Sequence, residues 1–218
     1  MNKLLFAIYL AVLFISFCAT IINRKNLTGR LRLFTLLTGV TFLIECTGFY
    51  LLFYTRKPKF FLYHFYLPFA YSVLAFIYAG SIRTGVIKRF IEFSIPGFVA
   101  LHLFISLFIQ KTDSVNTYGV MAGAILFVAL ALIYFYDLLQ KEGVVPLLRN
   151  PLFWVSSGNL IFYAGVFFLM GLLNYIIKEL PYLAPKLMYI NYSLNYILYT
   201  LYSIGFLCTI RNRRSSLL

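Results

Sequence analysis

Two ionisable side chains lie in the middle of long apolar segments, where an uncompensated charge is costly. Glu45 falls within residues 33–54 and His102 within residues 90–110. A charged group at the centre of a bilayer costs about 2.5–3.5 kcal/mol on insertion scales. Both residues lie about 12 positions, or ~18 Å, into their segments. If the two segments are neighbours, Glu45 and His102 can form a pair that binds a ligand or carries a proton.

Helical spacing places Glu45 on a stripe of polar and small residues. Thr38, Thr41, Glu45 and Gly48 recur every three or four positions and therefore share one helix face. This face should point into a helix bundle, because lipid offers no hydrogen-bond partner. An alternative interpretation is that a protonated Glu45 only donates a hydrogen bond to a neighbouring helix and takes no part in a site.

Amides and tyrosines form a second candidate site near the end of the chain. Asn191 and Asn195 are one helical turn apart and Tyr199 continues their face, while Asn159 and Tyr163 are one turn apart in the preceding segment. Buried asparagines can join helices at about 0.6–2 kcal/mol per contact. They can equally line the polar part of a pocket. Aromatic residues make up 20% of the chain, which favours tight interhelix packing or an aromatic-lined pocket for an apolar or amphipathic ligand.

The composition shows which elements must position these residues. Of 218 residues, 62% are hydrophobic and 11% are charged, against about 45–50% and 25% in soluble domains. The apolar runs are continuous and do not alternate, so we predict an all-α, polytopic membrane protein with seven transmembrane helices. Residues 1–210 form one domain, followed by a short basic cytoplasmic tail at 211–218. The predicted spans are 3–22, 33–54, 60–81, 90–110, 118–139, 152–177 and 186–210.

The net charge of +13 comes from 19 Lys and Arg against 6 Asp and Glu. These basic residues lie in short gaps between apolar runs. We therefore expect them to set the membrane topology and to contact anionic lipids, and we expect no nucleic-acid partner. The side of the membrane whose loops hold more Lys and Arg should face the cytoplasm. This orientation places the N-terminus outside, and we expect the protein in the cell (inner) membrane. On the cytoplasmic side we expect the partner-facing residues Arg24, Lys25, Arg83, Arg149 and Arg211.

The motifs of hydrolases and metalloenzymes do not occur in this sequence. The three cysteines are far apart without metal spacing, so we expect no metal ligands and no cofactor. His64 and His102 are expected at different depths, which argues against haem ligation. Gly119 and Gly123 form a GxxxG pattern that allows close helix approach, either inside the bundle or in a homo-oligomer. Glu92 and Asp137 should pair with nearby cations, namely Lys88, Arg89 or Lys141.

One segment resembles a known family. Residues 149–163 read RNPLFWVSSGNLIFY, in which Asn150-Pro151-Leu152-Phe153-Trp154 begins a helix after a basic loop. Together with the seven spans, this segment resembles the seven-helix membrane input modules of bacterial sensor histidine kinases. Because this sequence carries no kinase domain, the resemblance implies a separate cytoplasmic signalling partner, such as a histidine kinase.

Two functions are consistent with these features. The first is a receptor or sensor that signals to a separate cytoplasmic or membrane partner by helix rearrangement, without chemistry of its own. The alternative is a small membrane enzyme or permease for an apolar, lipid-like substrate, with Glu45 and His102 at its site.

Overall fold

The computed structural model describes residues 3–27, 29–110, 115–140 and 146–215, and the side chains in these ranges except those of 174, 184–185 and 209–215. The described chain is helical and contains no strand, which confirms the all-α prediction. Its seven long helices are α1 (Lys3–Asn23), α2 (Leu33–Tyr50), α3 (Phe60–Ala79), α4 (Gly85–Phe104), α5 (Thr117–Leu139), α6 (Pro151–Glu179) and α7 (Ala184–Ser215).

Local sequence explains how α6 begins, and two other helices end in a wider turn. Asn150 caps α6 by accepting a hydrogen bond from the Leu152 N–H at 3.0 Å, and Pro151 occupies the first helical position, where its missing N–H costs nothing. Helices α2 and α4 each continue into a π-helical turn, at Leu51–Thr55 and Ile105–Ile109. Such turns are rare in proteins, and those that exist are often found at functional sites.

Six of the helical segments are long and apolar enough to cross a membrane. They contain α1, α2, α3, α4, α5 and the first part of α6. Helix α7 is not among the six in the part of the chain whose side chains the structure describes. Many large apolar side chains face outward, including Phe93 and Phe108 at 75% exposure, as expected for contact with lipid. The seventh span and the orientation remain predictions.

Six helices form a ring and the seventh lies outside it. Going round the ring, α1 packs on α2, α2 on α3, α3 on α5, α5 on α6, α6 on α7, and α7 returns to α1. Helix α4 packs against the outside of α3 and α5. Gly123 in α5 permits this approach, since a Cβ there would lie 3.0 Å from the Phe98 ring of α4. Gly119 is also buried, but a Cβ there would meet the side chain of Asn116, the N-cap of the same helix, and not a neighbouring helix.

The ion pairs differ from those expected between neighbours on one helix. Glu92 pairs with Arg30 at 3.3 Å, where Lys88 or Arg89 was expected. The Arg30 guanidinium also lies over the Phe76 ring at 3.8 Å and donates to the Phe76 carbonyl oxygen at 3.1 Å. It reaches this position because Gly80 has no side chain, and a Cβ there would lie 2.5 Å from Arg30 Cδ.

Basic residues gather at the end of the bundle that holds the α1–α2, α3–α4 and α5–α6 linkers, hereafter the basic end. Arg24, Lys25, Arg83 and Arg149 are all exposed there. The backbone N–H of Arg83 donates to Asp137 at 3.2 Å. Lys141, the expected partner of Asp137, lies outside the described residues, as does the side chain of Arg211. Helix α7 extends to Ser215, so the predicted tail begins as a continuation of this helix.

Candidate functional site

The ring of helices surrounds a cavity of about 270 Å³. All six ring helices contribute side chains to its wall, and none of its lining residues comes from α4 in the described chain. It begins near Lys59 and Met188, at the end of the bundle that holds the α2–α3 linker, hereafter the mouth. It reaches Leu74 and Tyr202, roughly 20 Å deeper at 1.5 Å per residue. Its size is near the lower end of small-molecule sites, about 300 Å³.

Most of the cavity wall is apolar and rich in tyrosine. The Tyr163 ring stacks on Phe127 with ring centroids 3.8 Å apart, which fixes one side of the wall. Tyr66 shares a hydrogen bond of 2.7 Å with Thr41. The buried hydroxyl of Tyr192 has no hydrogen-bond partner among the described residues. The wall therefore offers aromatic faces and a few hydroxyls.

Glu45 lies near the mouth of the cavity in a network of three polar residues. Lys59 Nζ donates to the Tyr63 hydroxyl at 2.8 Å, and that hydroxyl donates to Glu45 Oε1 at 2.9 Å. Lys59 Nζ and Glu45 Oε2 are 3.8 Å apart. Burial lowers the pKa of Lys59, and the nearby Glu45 carboxylate acts in the opposite direction. The network is a compact polar patch with one formal charge of each sign, and the other described polar residues that line the cavity are uncharged.

Sequence reasoning placed Glu45 correctly but missed Lys59 and Tyr63. Thr38, Thr41, Glu45 and Gly48 are all buried on the inner face of α2, as the stripe predicted. Lys59 falls in the gap between the predicted spans 33–54 and 60–81, yet its aliphatic stem folds across α2 where Gly48 leaves space, with a Gly48 Cβ position 3.0 Å from Lys59 Cδ. The available signal was the spacing of Lys59 and Tyr63, which are one turn apart at the start of α3.

Most of the other predicted ligand-binding residues surround the same cavity. Asn191 and Asn195 line it from α7, where Asn195 Nδ2 donates to the Asn191 carbonyl oxygen at 2.8 Å. Tyr163 and Tyr199 line it deeper inside the bundle. Asn159 does not line the cavity; it lies behind the wall and accepts a hydrogen bond of 2.6 Å from Tyr202, which does.

His102 belongs to a separate buried cluster. The His64 and His102 ring centroids are 6.2 Å apart, so the expectation of different depths was wrong. Helices α3 and α4 are consecutive and antiparallel, which brings His64 near the start of one beside His102 near the end of the other. His102 therefore neighbours His64, while Glu45 bonds to Tyr63 and lies near Lys59. The structure does not bring Glu45 and His102 into a hydrogen bond or an ion pair.

Asn116 connects the histidine cluster to the cavity. Its Oδ1 accepts the Gly119 N–H at 2.8 Å, which caps α5 and directs Nδ2 towards the histidines. Nδ2 donates to Ser106 Oγ at 3.0 Å and lies 3.4 Å from both His64 Nδ1 and His102 Nε2. Asn116 also lines the cavity wall. In the described chain, no group of three His, Cys, Asp or Glu residues is arranged to hold a metal ion.

Comparison with known proteins finds no matching family model, no matching curated protein and no matching solved structure. The resemblance of residues 149–163 to sensor-kinase input modules therefore remains a hypothesis.

Proposed function

We propose that this chain is a membrane receptor or sensor that binds a small amphipathic molecule in the cavity inside its helix ring. One observation carries the proposal: a single cavity has an ionic network at its mouth and apolar, tyrosine-rich walls along its depth. Ligand sites of this kind combine mostly apolar walls with a few polar groups that fix orientation. A molecule with a polar head and an apolar tail matches this distribution.

Hydrogen bonds at the bottom of the cavity offer a route for signalling. Tyr202 donates to Asn159, Asn159 Nδ2 donates to the Tyr78 hydroxyl at 3.3 Å, and that hydroxyl bonds to Ser156 at 2.8 Å. These residues belong to α7, α6 and α3. A ligand that displaces Tyr202 changes the contacts among three helices, and so favours a different helix arrangement.

The basic end is the expected contact surface for the partner. Arg24, Lys25, Arg83 and Arg149 are exposed there, and such a surface attracts anionic lipids or an acidic partner surface. A separate cytoplasmic kinase would be such a partner if the orientation and the resemblance hold.

The alternative of a membrane enzyme or permease draws support from Glu45 alone. Its carboxylate lines the cavity and can contact a substrate, whereas His102 is not among the lining residues. A permease would move the bound molecule across vesicles and an enzyme would convert it. A receptor does neither.

A cavity-filling variant tests the proposal. Val166 is buried in the cavity wall, and Ile161, on the same helix, is 45% exposed on the outside. Protein in phosphatidylcholine nanodiscs would be titrated with octyltrimethylammonium, octyl sulfate and 1-octanol. We expect saturable binding of at least one probe to the wild type and to Ile161→Trp, and none to Val166→Trp. No saturable binding of any probe to the wild type would contradict the proposal.

A distance measurement tests the receptor mechanism separately. Spin labels at positions 24 and 149, in a background without the three natural cysteines, report on two linkers at the basic end. Saturation with the bound probe should shift their separation by about 1–2 Å, the usual scale of helix shifts. An unchanged distance, together with uptake or conversion of the probe in vesicles, would favour the alternative.

A further inference from the structure

We propose that the Lys59 side chain occupies the place of a ligand's ammonium group, so that the molecule bound in the cavity is a cationic amphiphile that displaces Lys59. This inference rests on the proposed function and specifies the ligand class and a self-inhibiting contact at the same site.

The surroundings of Lys59 are those that recognise an ammonium ion. Its Nζ lies 4.6 Å from the centre of the Phe6 ring and 5.1 Å from that of Tyr63. The Glu45 carboxylate completes this arrangement at 3.8 Å. Aromatic faces within about 6 Å attract a cation through the ring quadrupole, and this is the principle of ammonium recognition by aromatic cages. Tyr192 continues the aromatic wall, its ring centroid 6.0 Å from that of Phe6.

The direct contact between Lys59 and Glu45 is longer than a strong ion pair, and a ligand ammonium in this place would also take over the hydrogen bond of 2.8 Å that Lys59 donates to Tyr63. A strong charge-assisted hydrogen bond spans about 2.7–2.9 Å, whereas these two groups are 3.8 Å apart. Lys59 precedes the first residue of α3 and follows an exposed linker, residues 56–58. Its flexible stem can therefore turn towards the mouth and return the ammonium to water. Burial opposes its charge in the present position, which reduces the cost of leaving.

Charge balance favours a cation over an anion. Among the described lining residues, Lys59 is the one cation and Glu45 the one carboxylate. A ligand ammonium that replaces Lys59 preserves this neutrality in the low-dielectric bundle. An anionic head would instead add a second negative charge beside Glu45, at a cost in desolvation and repulsion. The apolar tail of the ligand would extend past Leu67 and Tyr163 towards the bottom of the cavity.

Substitution of Lys59 gives opposite results for a cation site and an anion site. The same three octyl probes would be titrated into wild type, Lys59→Met, the double variant of Lys59→Met with Glu45→Gln, and Lys57→Met in phosphatidylcholine nanodiscs. Lys57 is exposed in the same linker and serves as the matched control. Removal of the internal competitor should tighten octyltrimethylammonium binding about tenfold, equivalent to about 1.4 kcal/mol. Adding Glu45→Gln to Lys59→Met should weaken it again by about tenfold, and Lys57→Met should leave the wild-type affinity unchanged.

The other outcomes distinguish a failure of this inference from a failure of the proposed function. If Lys59→Met weakens binding, or if octyl sulfate binds best and loses affinity in Lys59→Met, Lys59 contacts an anion and the inference is wrong while the proposed function stands. If no probe binds saturably to the wild type, the proposed function itself fails. Should Lys59→Met not fold, Lys59→Gln takes its place, because it removes the same charge and keeps a polar end that can donate to Tyr63.

Discussion

The hydroxyl of Tyr202 in α7 donates a hydrogen bond of 2.6 Å to Oδ1 of Asn159 in α6. Tyr202 lines the cavity and Asn159 is completely buried behind it. The Asn159 amide also reaches Tyr78 in α3, so one side chain joins three helices at the bottom of the cavity. Any molecule that fills the cavity to this depth contacts a residue whose hydrogen bond holds the bundle together.

The first prediction concerns this link. Asn159→Leu keeps the number and branching of the side-chain heavy atoms but strands the buried hydroxyl of Tyr202, so the free energy of unfolding should fall by about 1–3 kcal/mol. The neighbouring Ser157 bonds only to the Phe153 carbonyl of its own helix among the described residues, and Ser157→Ala is therefore the control. Thermal unfolding in detergent measures both variants. An Asn159→Leu protein as stable as Ser157→Ala would show that the bond does not contribute to stability.

The second prediction concerns the coupling of Glu45 and Lys59. Glu45→Gln leaves the Lys59 ammonium near the Phe6 and Tyr63 rings but without its carboxylate partner. The double variant with Lys59→Met removes both charges. The double variant should therefore be more stable than the sum of the single effects predicts, by about 0.5–3 kcal/mol. Chemical unfolding of the four proteins gives this coupling energy. Additive effects would mean that the two side chains act independently despite their proximity.

The third prediction concerns pH. Burial lowers the pKa of Lys59 from the ordinary value of 10.5. Just below pH 10.5 the unfolded chain thus holds more protons at this site than the folded chain, and stability must rise with pH in that window. Lys59→Met should remove this contribution, while Lys57→Met should not. The measurement is the difference in unfolding free energy between wild type and each variant from pH 8 to about 10.5. A wild-type curve parallel to that of Lys59→Met would refute the burial of the charge.

The fourth prediction concerns orientation. Lys57 and Thr84 are exposed in linkers at opposite ends of the bundle. In a background with Cys18, Cys46 and Cys208 replaced by alanine, Lys57→Cys should react with a membrane-impermeant maleimide in intact cells. Thr84→Cys should react only after permeabilisation, because the end richer in Lys and Arg is predicted to face the cytoplasm. Labelling of Thr84→Cys in intact cells would reverse the orientation and place the mouth of the cavity on the inner side.

Part of the candidate site followed from the sequence because it lies on single helices. The period of 3.6 residues fixes which side chains share a face, so Thr41 and Glu45 were correctly placed towards the interior. Asn191, Asn195 and Tyr199 face the cavity from α7 for the same reason. A prediction from the period of a single helix needs no knowledge of the neighbouring helix.

Contacts between helices could not be predicted in this way. Whether His102 meets Glu45 or His64 depends on which helices are adjacent, how each is rotated and where each begins along the membrane normal. The Arg30–Glu92 pair depends likewise on the packing of a turn against α3 and α4.

The sequence by itself determined that the chain is helical and apolar and that Glu45 must face inward, because burial of backbone and charge in lipid allows few alternatives. Only the tertiary structure decided that α4 lies outside a ring of six helices, that the ring leaves a cavity, and that Lys59 turns into it. These features depend on how the side chains of neighbouring helices fit together. One example is Gly48, whose lack of a side chain leaves room for the stem of Lys59. Periodicity along one helix contains no information about such a fit.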